Sequence, residues 1–464
     1  MDLPQLRLER GRPVDADESA QGRGGHSGDE PAEPFGPYRG LKPGPGRSAA
    51  EVISHQRARI DRALVEVVAE RGYSRATVRE IARVAGISTR AFYERCAGKE
   101  ECFLRVHRLL ARRLLRRMDR LADVTDTTDH LKAAVETVIE EWGRDWKVTW
   151  FLLIGPYGAG PAAMTQLRVL DQSLGVRLSR CLRDAPEGGV GSTGIVADGI
   201  AAGLTATVRL ALLNNVEAEW SALGQGLTEW AVSWSGLLRE HEEVQAENKS
   251  VRFDSSAGLT LASDTKRTQG LSLGDDRTLL HAAIVKLAAS GDRSQLTPRL
   301  ICAAAGVSRR SFEVYFAGVD DCLVEAAGLQ LDFTLARIRR ASNHEASPAR
   351  RAFHDFVDLF RLVGRDPALA SLCFGDVIKS GEWLLRRDQL LTERFARLLA
   401  VATPASHSQG RLRIDASVGS ILGLLRKEIT AGRSGCVSRQ APSLANLMLA
   451  PTLGASSTAG VISS

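Results

Sequence analysis

The residues with the most suggestive chemistry lie in one stretch, Thr77 to Glu101, where hydroxyl, guanidinium and ammonium side chains recur within a few residues of one another. Such groups donate hydrogen bonds and carry positive charge, which suits the phosphate oxygens and base edges of a nucleic acid. Between residues 51 and 120 there are seventeen Arg or Lys and nine Asp or Glu, an excess of eight that exceeds the net charge of +6 for the whole chain. This distribution predicts a basic module that neutralises phosphates.

Catalytic chemistry has much weaker support in the sequence. The nine His are dispersed, and the chain contains no H-E-x-x-H, no G-x-S-x-G and no Cys/His cluster at metal-ligand spacing. Gly189, Gly191 and Gly194 spell GxGxxG, but a helical pattern precedes them, so we interpret them as an inter-helix loop and not as a nucleotide site. We therefore expect no enzyme activity, no metal and no cofactor.

Short helices are predicted to position the basic residues. Thr77 and Glu80 form a capping box that begins one helix, and Gly86 supplies the left-handed residue that ends it. Ser88 caps the next helix after a turn that is too short for antiparallel packing, so the pair is a helix-turn-helix. An amphipathic helix ending near Gly72 precedes them, with apolar residues at helical spacing: Ile60, Ala63, Leu64, Val67 and Val68.

Residues 57 to 104 resemble the N-terminal DNA-binding domain of the TetR/AcrR family of transcriptional regulators. The resemblance rests on the capped Thr, the A-x-x-A-G-[VI]-S turn, the [LF]-Y pair and the G-K-E-E motif. It implies that the DNA contacts are Thr77, Thr89, Arg90, Tyr93 and Lys99. Cys96 stands where the family usually has Phe, which we expect to loosen the small core more than the DNA face.

The residues of this face have different predicted roles. Thr77, Tyr93 and Lys99 are expected to position the module on the DNA backbone, with Ser88 at the start of the reading helix. Thr89 and Arg90 are expected to reach base edges in the major groove. For Arg95 a base contact and a solvated helix face are equally weighted alternatives.

Composition bounds the class of protein. With 464 residues, 44% apolar residues and 5% aromatic residues, the chain fits two or three mostly helical domains. Seven scattered cysteines favour reduced thiols, and the N-terminus lacks a signal pattern, so we expect a cytoplasmic protein. Ile195 to Val216 is the most membrane-like segment, but Asp198 and Arg209 interrupt it, and we interpret it as a buried core helix of a protein without membrane contact.

A diverged copy of the module follows further along the chain. An ungapped alignment of Leu279–Leu323 with Arg59–Phe103 gives 15 identities in 45 positions, which indicates a duplicated domain. The copy's predicted DNA-facing residues are Thr297, Ser308, Arg309 and Arg310.

This copy has changed where it would contact DNA. Glu313 replaces Tyr93 and Val319 replaces Lys99, and residues 276 to 340 hold nine Arg or Lys against seven Asp or Glu. Direct DNA contact and a retained structural fold are equally weighted alternatives for the copy.

The sequence thus predicts an all-α fold with two TetR-like halves, each a three-helix module followed by a helical regulatory and dimerisation domain. In the family, the two C-terminal helices form a four-helix dimer bundle. Here Ile195–Asn214 and Trp220–Leu238 correspond to Ile414–Ile429 and Pro442–Leu449, so one chain could build that bundle as an internal pseudo-dimer, and a homodimer of whole chains stays open. The predicted domains are a disordered tail (1–49), module 1 (50–104), regulatory domain 1 (105–240), a linker (241–276), module 2 (277–324), regulatory domain 2 (325–453) and a second tail (454–464).

Two functions from different classes follow. The first is a DNA-binding transcriptional regulator, in the first instance a repressor, that binds a double-stranded operator and responds to a small apolar ligand. Trp142, Trp146 and Trp150 recur every four residues and are a candidate pocket for that ligand, although such stripes are more often core. The second function is a helical ligand-binding or scaffold protein whose DNA-binding modules are vestigial.

Overall fold

The computed structural model describes residues 49–121, 127–182, 193–214, 220–247, 276–290, 296–345, 347–375, 382–402 and 408–453. Every regular element within these ranges is an α-helix, which confirms the predicted all-α class. The predicted tails, apart from Ala49, lie outside the described residues, as do residues 248–275 of the predicted linker and the glycines of the GxGxxG loop before Gly194.

Twenty helices are present in the described part of the chain. Those before the predicted linker are α1 (Ala49–Arg71), α2 (Val78–Ala85), α3 (Thr89–Tyr93), α4 (Lys99–Asp119), α5 (Thr127–Arg144), α6 (Trp146–Leu153), α7 (Gly155–Ala159), α8 (Pro161–Cys181), α9 (Thr193–Leu213) and α10 (Trp220–Glu247). Those after it are α11 (Asp276–Ser290), α12 (Pro298–Ala305), α13 (Arg309–Tyr315), α14 (Val319–Ala341), α15 (Pro348–Arg365), α16 (Pro367–Phe374), α17 (Glu382–Ala402), α18 (Ser408–Thr430), α19 (Ser434–Arg439) and α20 (Ala441–Leu453).

Helices α1 to α4 form the first module. Helix α1 ends at Arg71, next to Gly72 with a φ of 77°, so its predicted end is confirmed. It packs on α2, α4 and α6. The inward faces of the module are buried, as the helical spacing predicts: Ile60, Leu64, Val68, Ile81, Ala82, Ala85, Phe92 and Phe103.

Helices α11 to α14 form the second module, and its register follows the first. Helices α12, α13 and α14 begin at Pro298, Arg309 and Val319, the residues that the ungapped alignment pairs with the first residues of α2, α3 and α4. A separate apolar cluster holds these helices together: Leu280, Ile284, Ile301, Phe312, Phe316, Cys322 and Leu323. Thus both segments fold as three-helix modules extended by a long fourth helix.

The remaining helices build a larger body. In its first part, α8 packs on α4, α7 and α9, while α5 packs on α10. In its second part, α15 packs on α17, α19 and α20 around a cluster of aromatic and aliphatic residues that includes Phe356, Phe360, Phe374, Phe395 and Leu425. Phe353 lies on α15, and the segment from Trp383 to Leu399 lies within α17.

The two parts meet where α9 crosses α18, and glycines line the crossing. A Cβ on Gly203 would lie 2.7 Å from the carbonyl oxygen of Ala416, and a Cβ on Gly423 would overlap the Ala202 Cβ. The close approach lets Ser420 Oγ donate a hydrogen bond to the Gly199 carbonyl at 2.6 Å. Glycine is therefore required at Gly203 and Gly423, because a side chain at either position would clash with the facing helix.

Helix α10 completes this junction. It contacts α18 and α20, and Trp230 Nε1 donates a hydrogen bond to Ser417 Oγ at 3.1 Å. Helix α10 continues to Glu247, so residues 241–247, predicted to belong to the linker, are helical. The helical pattern was obscured there because charged residues replace the apolar ones.

Segment Gly194–Leu213 of α9 is long and apolar enough to cross a membrane by length and composition alone. Two thirds of it, 67%, is nevertheless buried between other helices, chiefly α8 and α18. This burial agrees with the predicted core helix. The seven cysteines are free thiols, of which six are buried and Cys436 is partly exposed.

Candidate nucleic-acid interface

The helix caps of the first module form largely as the sequence predicts. Thr77 Oγ1 accepts a hydrogen bond from the Glu80 amide at 3.2 Å, and Ser88 Oγ accepts one from the Ala91 amide at 3.0 Å. Gly86 has a φ of 63°, the left-handed conformation expected at the turn. The second half of the capping box differs, because the Glu80 carboxylate lies 2.8 Å from Arg71 Nε in an ion pair.

The outer face of α3 is open to solvent. The side chain of Arg90 is 91% exposed and Tyr93 is 58% exposed, and Thr77, Ser88 and Thr89 are exposed beside them. Arg90 Nε lies 3.3 Å from the Glu94 carboxylate, a surface pair that contributes little to stability. The Arg90 guanidinium is thus free to exchange this partner for a base or a phosphate.

Arg95 and Lys99 are held against the module instead of projecting from it. Arg95 Nε donates to Gln56 Oε1 of α1 at 3.1 Å, so this side chain ties α3 to α1. Lys99 Nζ donates to the carbonyl oxygens of Tyr73 and Ala76 at 2.9 and 2.8 Å, and lies 4.1 Å from the centre of the Tyr73 ring. Burial lowers the pKa of Lys99. An ammonium has three donors, so one remains for a phosphate.

A buried ion pair behind this face was missed at the sequence level. Asp61, 5% exposed on α1, accepts two hydrogen bonds from Arg105 of α4, at 2.6 and 2.9 Å. Burial raises the pKa of Asp61, and the Arg105 guanidinium opposes that shift. Arg105 Nη2 also contacts the thiols of Cys96 and Cys102, at 3.7 and 3.5 Å. The available signal was the acidic side chain next to Ile60 on an apolar helix face, because a buried acid requires a partner.

The second module has the same caps and turn. Thr297 Oγ1 accepts from the Leu300 amide at 3.2 Å, Ser308 Oγ accepts from the Ser311 amide at 3.0 Å, and Gly306 has a φ of 68°. Arg309 and Arg310 are exposed on α13, and Arg309 Nε lies 2.8 Å from Glu313 Oε1.

The outer face of α13 is more apolar than that of α3. Val314 is 72% exposed and Tyr315 is 39% exposed, at the positions that Glu94 and Arg95 occupy in the first module. Val319 stands at the position of Lys99 and supplies no donor. These differences weaken the second module's attraction for phosphates.

The three tryptophans proposed as a ligand pocket do not share one helix. Asp145 caps a new helix between them, so Trp142 belongs to α5 while Trp146 and Trp150 belong to α6. Trp142 is fully buried, and its carbonyl oxygen accepts a hydrogen bond from Thr149 Oγ1 at 2.6 Å. The sequence spacing missed the break because Asp-Trp reads equally well as helix interior and as helix start.

A cleft that these tryptophans do not line opens at the junction of the two parts, between α8, α9, α17 and α18. It encloses about 630 Å³, including its solvent-filled mouth, and its interior void measures about 60 Å³. Its polar lining residues include Asp171, Arg209, Asp388 and Arg426. Only Arg209 stood out in the sequence, as a charge within an apolar segment, because these residues come together only through tertiary packing.

Part of the first module matches a known protein family. Residues 60–106 match the family described as "Bacterial regulatory proteins, tetR family". This match covers the whole of α2 and α3 together with the start of α4, and it supports a TetR-family regulator. Among curated proteins, none shows significant similarity to this chain.

Several solved structures of transcriptional regulators are similar to this chain at low identity. The fatty acid degradation regulator FadR from Bacillus halodurans is 20% identical with a TM-score of 0.34, and the match covers 38% of this chain and 96% of that one. FadR from Bacillus subtilis in complex with stearoyl-CoA is 19% identical, with a TM-score of 0.35 and coverages of 38% and 97%. Thermus thermophilus FadR in complex with lauroyl-CoA is 20% identical, with a TM-score of 0.25 and coverages of 44% and 99%.

Proposed function

We propose that this protein is a DNA-binding transcriptional regulator in which two TetR-like halves are joined in one chain. The observation that carries the proposal is the match of residues 60–106, which includes the exposed Arg90 on α3. The excess of eight positive charges between residues 51 and 120 supplies the non-specific attraction to phosphates.

Each predicted DNA-facing residue of the first module has a proposed role. Arg90 and Thr89 read base edges, because they lie on the exposed N-terminal turn of α3. Thr77, Tyr93 and the remaining donor of Lys99 contact phosphates, and Ser88 fixes the start of the reading helix. Arg95 acts as a positioning residue through Gln56 instead of contacting a base.

The second module contributes less to affinity. Its proposed contacts align with those of the first module and are Arg309, Arg310, Thr297 and Ser308. The carboxylate of Glu313, however, already pairs with Arg309. We therefore infer an asymmetric complex in which the first module provides most of the binding free energy. The exposed apolar residues of α13 also favour the second candidate function, a scaffold or ligand-binding protein with vestigial modules.

The internal pseudo-dimer has two kinds of support. The constant sequence offset between the modules extends to the junction, where Gly199 and Gly203 of α9 correspond to Gly419 and Gly423 of α18. The four helices α9, α10, α18 and α20 also pack together as the proposed bundle requires. Covalent linkage makes the second binding event intramolecular, so the halves need no dimerisation to present two modules.

We further propose that the protein acts in the cytoplasm as a repressor by occupying an operator, and that a small ligand bound in the helical body changes its DNA affinity. The cleft at the junction supports ligand control, since a molecule bound there contacts both halves at once. The tryptophans of α5 and α6 remain a second candidate ligand site.

The test measures how two substitutions in the full chain change its affinity for genomic DNA fragments that it binds and for random DNA. Arg90→Ala should reduce the preference for specific over random DNA by about tenfold to a hundredfold, because one base-reading contact is worth about 1–3 kcal/mol. Lys99→Ala should weaken binding to all sequences and lower the slope of log affinity against log salt by about one. Fluorescence anisotropy at several salt concentrations measures both.

Two controls make the result interpretable. Arg365→Ala removes an exposed positive charge at the end of α15 and should leave sequence preference unchanged. Urea unfolding of Lys99→Ala separates a loss of DNA contact from a loss of the two carbonyl hydrogen bonds. The proposal is wrong if no genomic fragment binds better than random DNA, or if Arg90→Ala lowers affinity equally for all sequences.

A further inference from the structure

A cluster of charged side chains lines and backs the cleft at the junction. Arg426 Nη2 of α18 donates to Asp388 Oδ1 of α17 at 2.6 Å. The Tyr157 hydroxyl of α7 donates to Asp388 Oδ2 at 3.0 Å and itself accepts a hydrogen bond from Arg209 of α9. The cluster therefore connects side chains from both halves of the chain in one hydrogen-bonded network.

The charges of this network do not balance. Three guanidiniums, those of Arg209, Arg387 and Arg426, lie within interaction range of two carboxylates, those of Asp171 and Asp388. Arg387 is wholly buried, with one hydrogen bond to the Gly375 carbonyl at 2.6 Å. One positive charge is thus left over, and an uncompensated charge at such a site is costly.

The polar groups are also incompletely satisfied. Arg426 Nε and Asp171 Oδ1 are shielded from solvent and have no hydrogen-bond partner in the described part of the chain. Burial raises the pKa of Asp171 to about 6, while the nearby Arg209 and Arg426 and a hydrogen bond from the Thr205 hydroxyl oppose the shift. Arg168 also lies near Arg426, but its side chain is partly exposed, so solvent screens its charge. With Asp171 ionised, a single excess positive charge remains inside the cluster, and this charge matches one monovalent anion.

The remaining lining of the cleft includes apolar side chains and uncharged hydroxyl groups. Leu210, Leu213, Leu385 and Leu422 line it, together with the hydroxyl groups of Thr205 and Thr392. Asp415, the third carboxylate in the lining, accepts a hydrogen bond from Arg411 Nε at 3.0 Å, so its negative charge is already balanced. The interior void of about 60 Å³ admits only a few non-hydrogen atoms.

We propose that this cleft binds a small organic monocarboxylate, with its carboxylate at Arg209 and Arg426 and its short apolar chain along the leucines of α9, α17 and α18. The ligand would bridge the two halves, and its regulatory consequence rests on the proposed DNA-binding function. Because α9 belongs to the first half and α17 and α18 to the second, occupancy would fix the relative placement of the two modules.

The test uses butyrate and butyramide, which have similar size but differ in charge. Isothermal titration of the full chain without DNA should show butyrate binding at least tenfold more tightly than butyramide, because the excess guanidinium recognises only the anion. Arg426→Gln should reduce butyrate affinity at least tenfold. Arg394→Gln is the matched control, since Arg394 also lies on the second half but pairs with Asp332 at 3.0 Å away from the cleft.

A second variant protects the test against misfolding. Arg426→Gln could destabilise the fold by leaving Asp388 with fewer partners, so Arg209→Gln, which does not contact Asp388 directly, should also lower butyrate affinity at least tenfold. Equal binding of butyrate and butyramide by the wild-type chain would overturn the proposal, as would unchanged butyrate affinity in both variants. A chain that binds butyrate but no DNA retains this inference and loses the proposed function, whereas a chain that binds DNA but not butyrate loses only this inference.

Discussion

The ion pair between Asp61 and Arg105 illustrates how single residues connect the helices of a module. It joins α1 to α4 beneath the recognition helix, with a shortest distance of 2.6 Å. At the corresponding positions the second module has His281 and Glu325, whose Nε2 and Oε1 atoms lie 3.3 Å apart. Glu325 also pairs with Arg277 Nη2 of α11 at 2.5 Å, so the carboxylate lies on α14 in the second module and on α1 in the first.

This reversal leads to a prediction for the first module. Arg105→Glu places a second carboxylate beside Asp61 and should lower the free energy of unfolding by about 3 kcal/mol or more, as expected when a buried pair is broken. Adding Asp61→His copies the pair of the second module and should restore most of that loss. Urea unfolding followed by circular dichroism measures both variants. An additive or greater loss in the double variant would contradict the proposed equivalence of the two contacts.

His107 predicts a pH dependence. It is fully buried on α4, its Nε2 lies 3.1 Å from the Leu152 carbonyl oxygen, and burial lowers its pKa from 6.5 to about 4. Between these values the unfolded chain binds a proton that the folded chain does not, so the stability contribution of His107 falls as the pH drops below 6.5. From pH 7 to pH 5 the loss should be about 2 kcal/mol. His107→Gln should remove this part of the pH dependence in urea unfolding, and an unchanged dependence would argue against a neutral buried His107.

At the scale of helices, local signals were the most predictable. The caps at Thr77 and Ser88 and the turn at Gly86 depend only on neighbouring residues, so they could be derived from the sequence. The inward position of Lys99 could not, because its partners are carbonyl groups of the α1–α2 connection, far from it along the chain. The same holds for the cleft, whose residues come from helices of both halves.

The crossing of α9 and α18 could have been recognised in part. Gly199 and Gly203 are spaced four residues apart, as are Gly419 and Gly423, and small residues at this spacing permit close helix contact. What the sequence lacked was the identity of the partner, since each pair of glycines is equally compatible with a contact between two chains.

The crossing predicts opposite effects for two glycines of α18. Gly423→Ala makes a Cβ overlap the Ala202 Cβ and should destabilise the protein by about 1–3 kcal/mol through overpacking. Gly410→Ala, on the same helix, meets no atom within 4 Å and should stabilise it by about 0.5–1 kcal/mol through helix propensity. Thermal unfolding of the two variants compares them directly. A stabilised Gly423→Ala variant would contradict the close packing of α9 on α18.

At the scale of the whole molecule, the proposed function predicts an asymmetric complex. One chain should occupy one operator, and the DNA should be protected more strongly at the half-site bound by the first module, because the second lacks counterparts of Tyr93 and Lys99. Native mass spectrometry gives the stoichiometry, and footprinting gives the protection of each half-site. Two chains per operator with equal protection of both half-sites would exclude this arrangement.

The glycine-lined junction of α9 and α18 also bears on how the protein is made. Gly203 and Gly423 lie in different halves of the chain, so at about 5–20 residues per second a ribosome needs roughly 10–40 s between synthesising one and the other. During that interval α9 has emerged from the ribosome, but α18 has not yet been made. The surface of α9 that packs on α18 is therefore still uncovered. Neighbouring ribosomes on one messenger carry identical nascent chains, and the first half of one chain can pair with the second half of another. Slow elongation and crowded messengers should therefore favour exchanged dimers over correctly closed single chains.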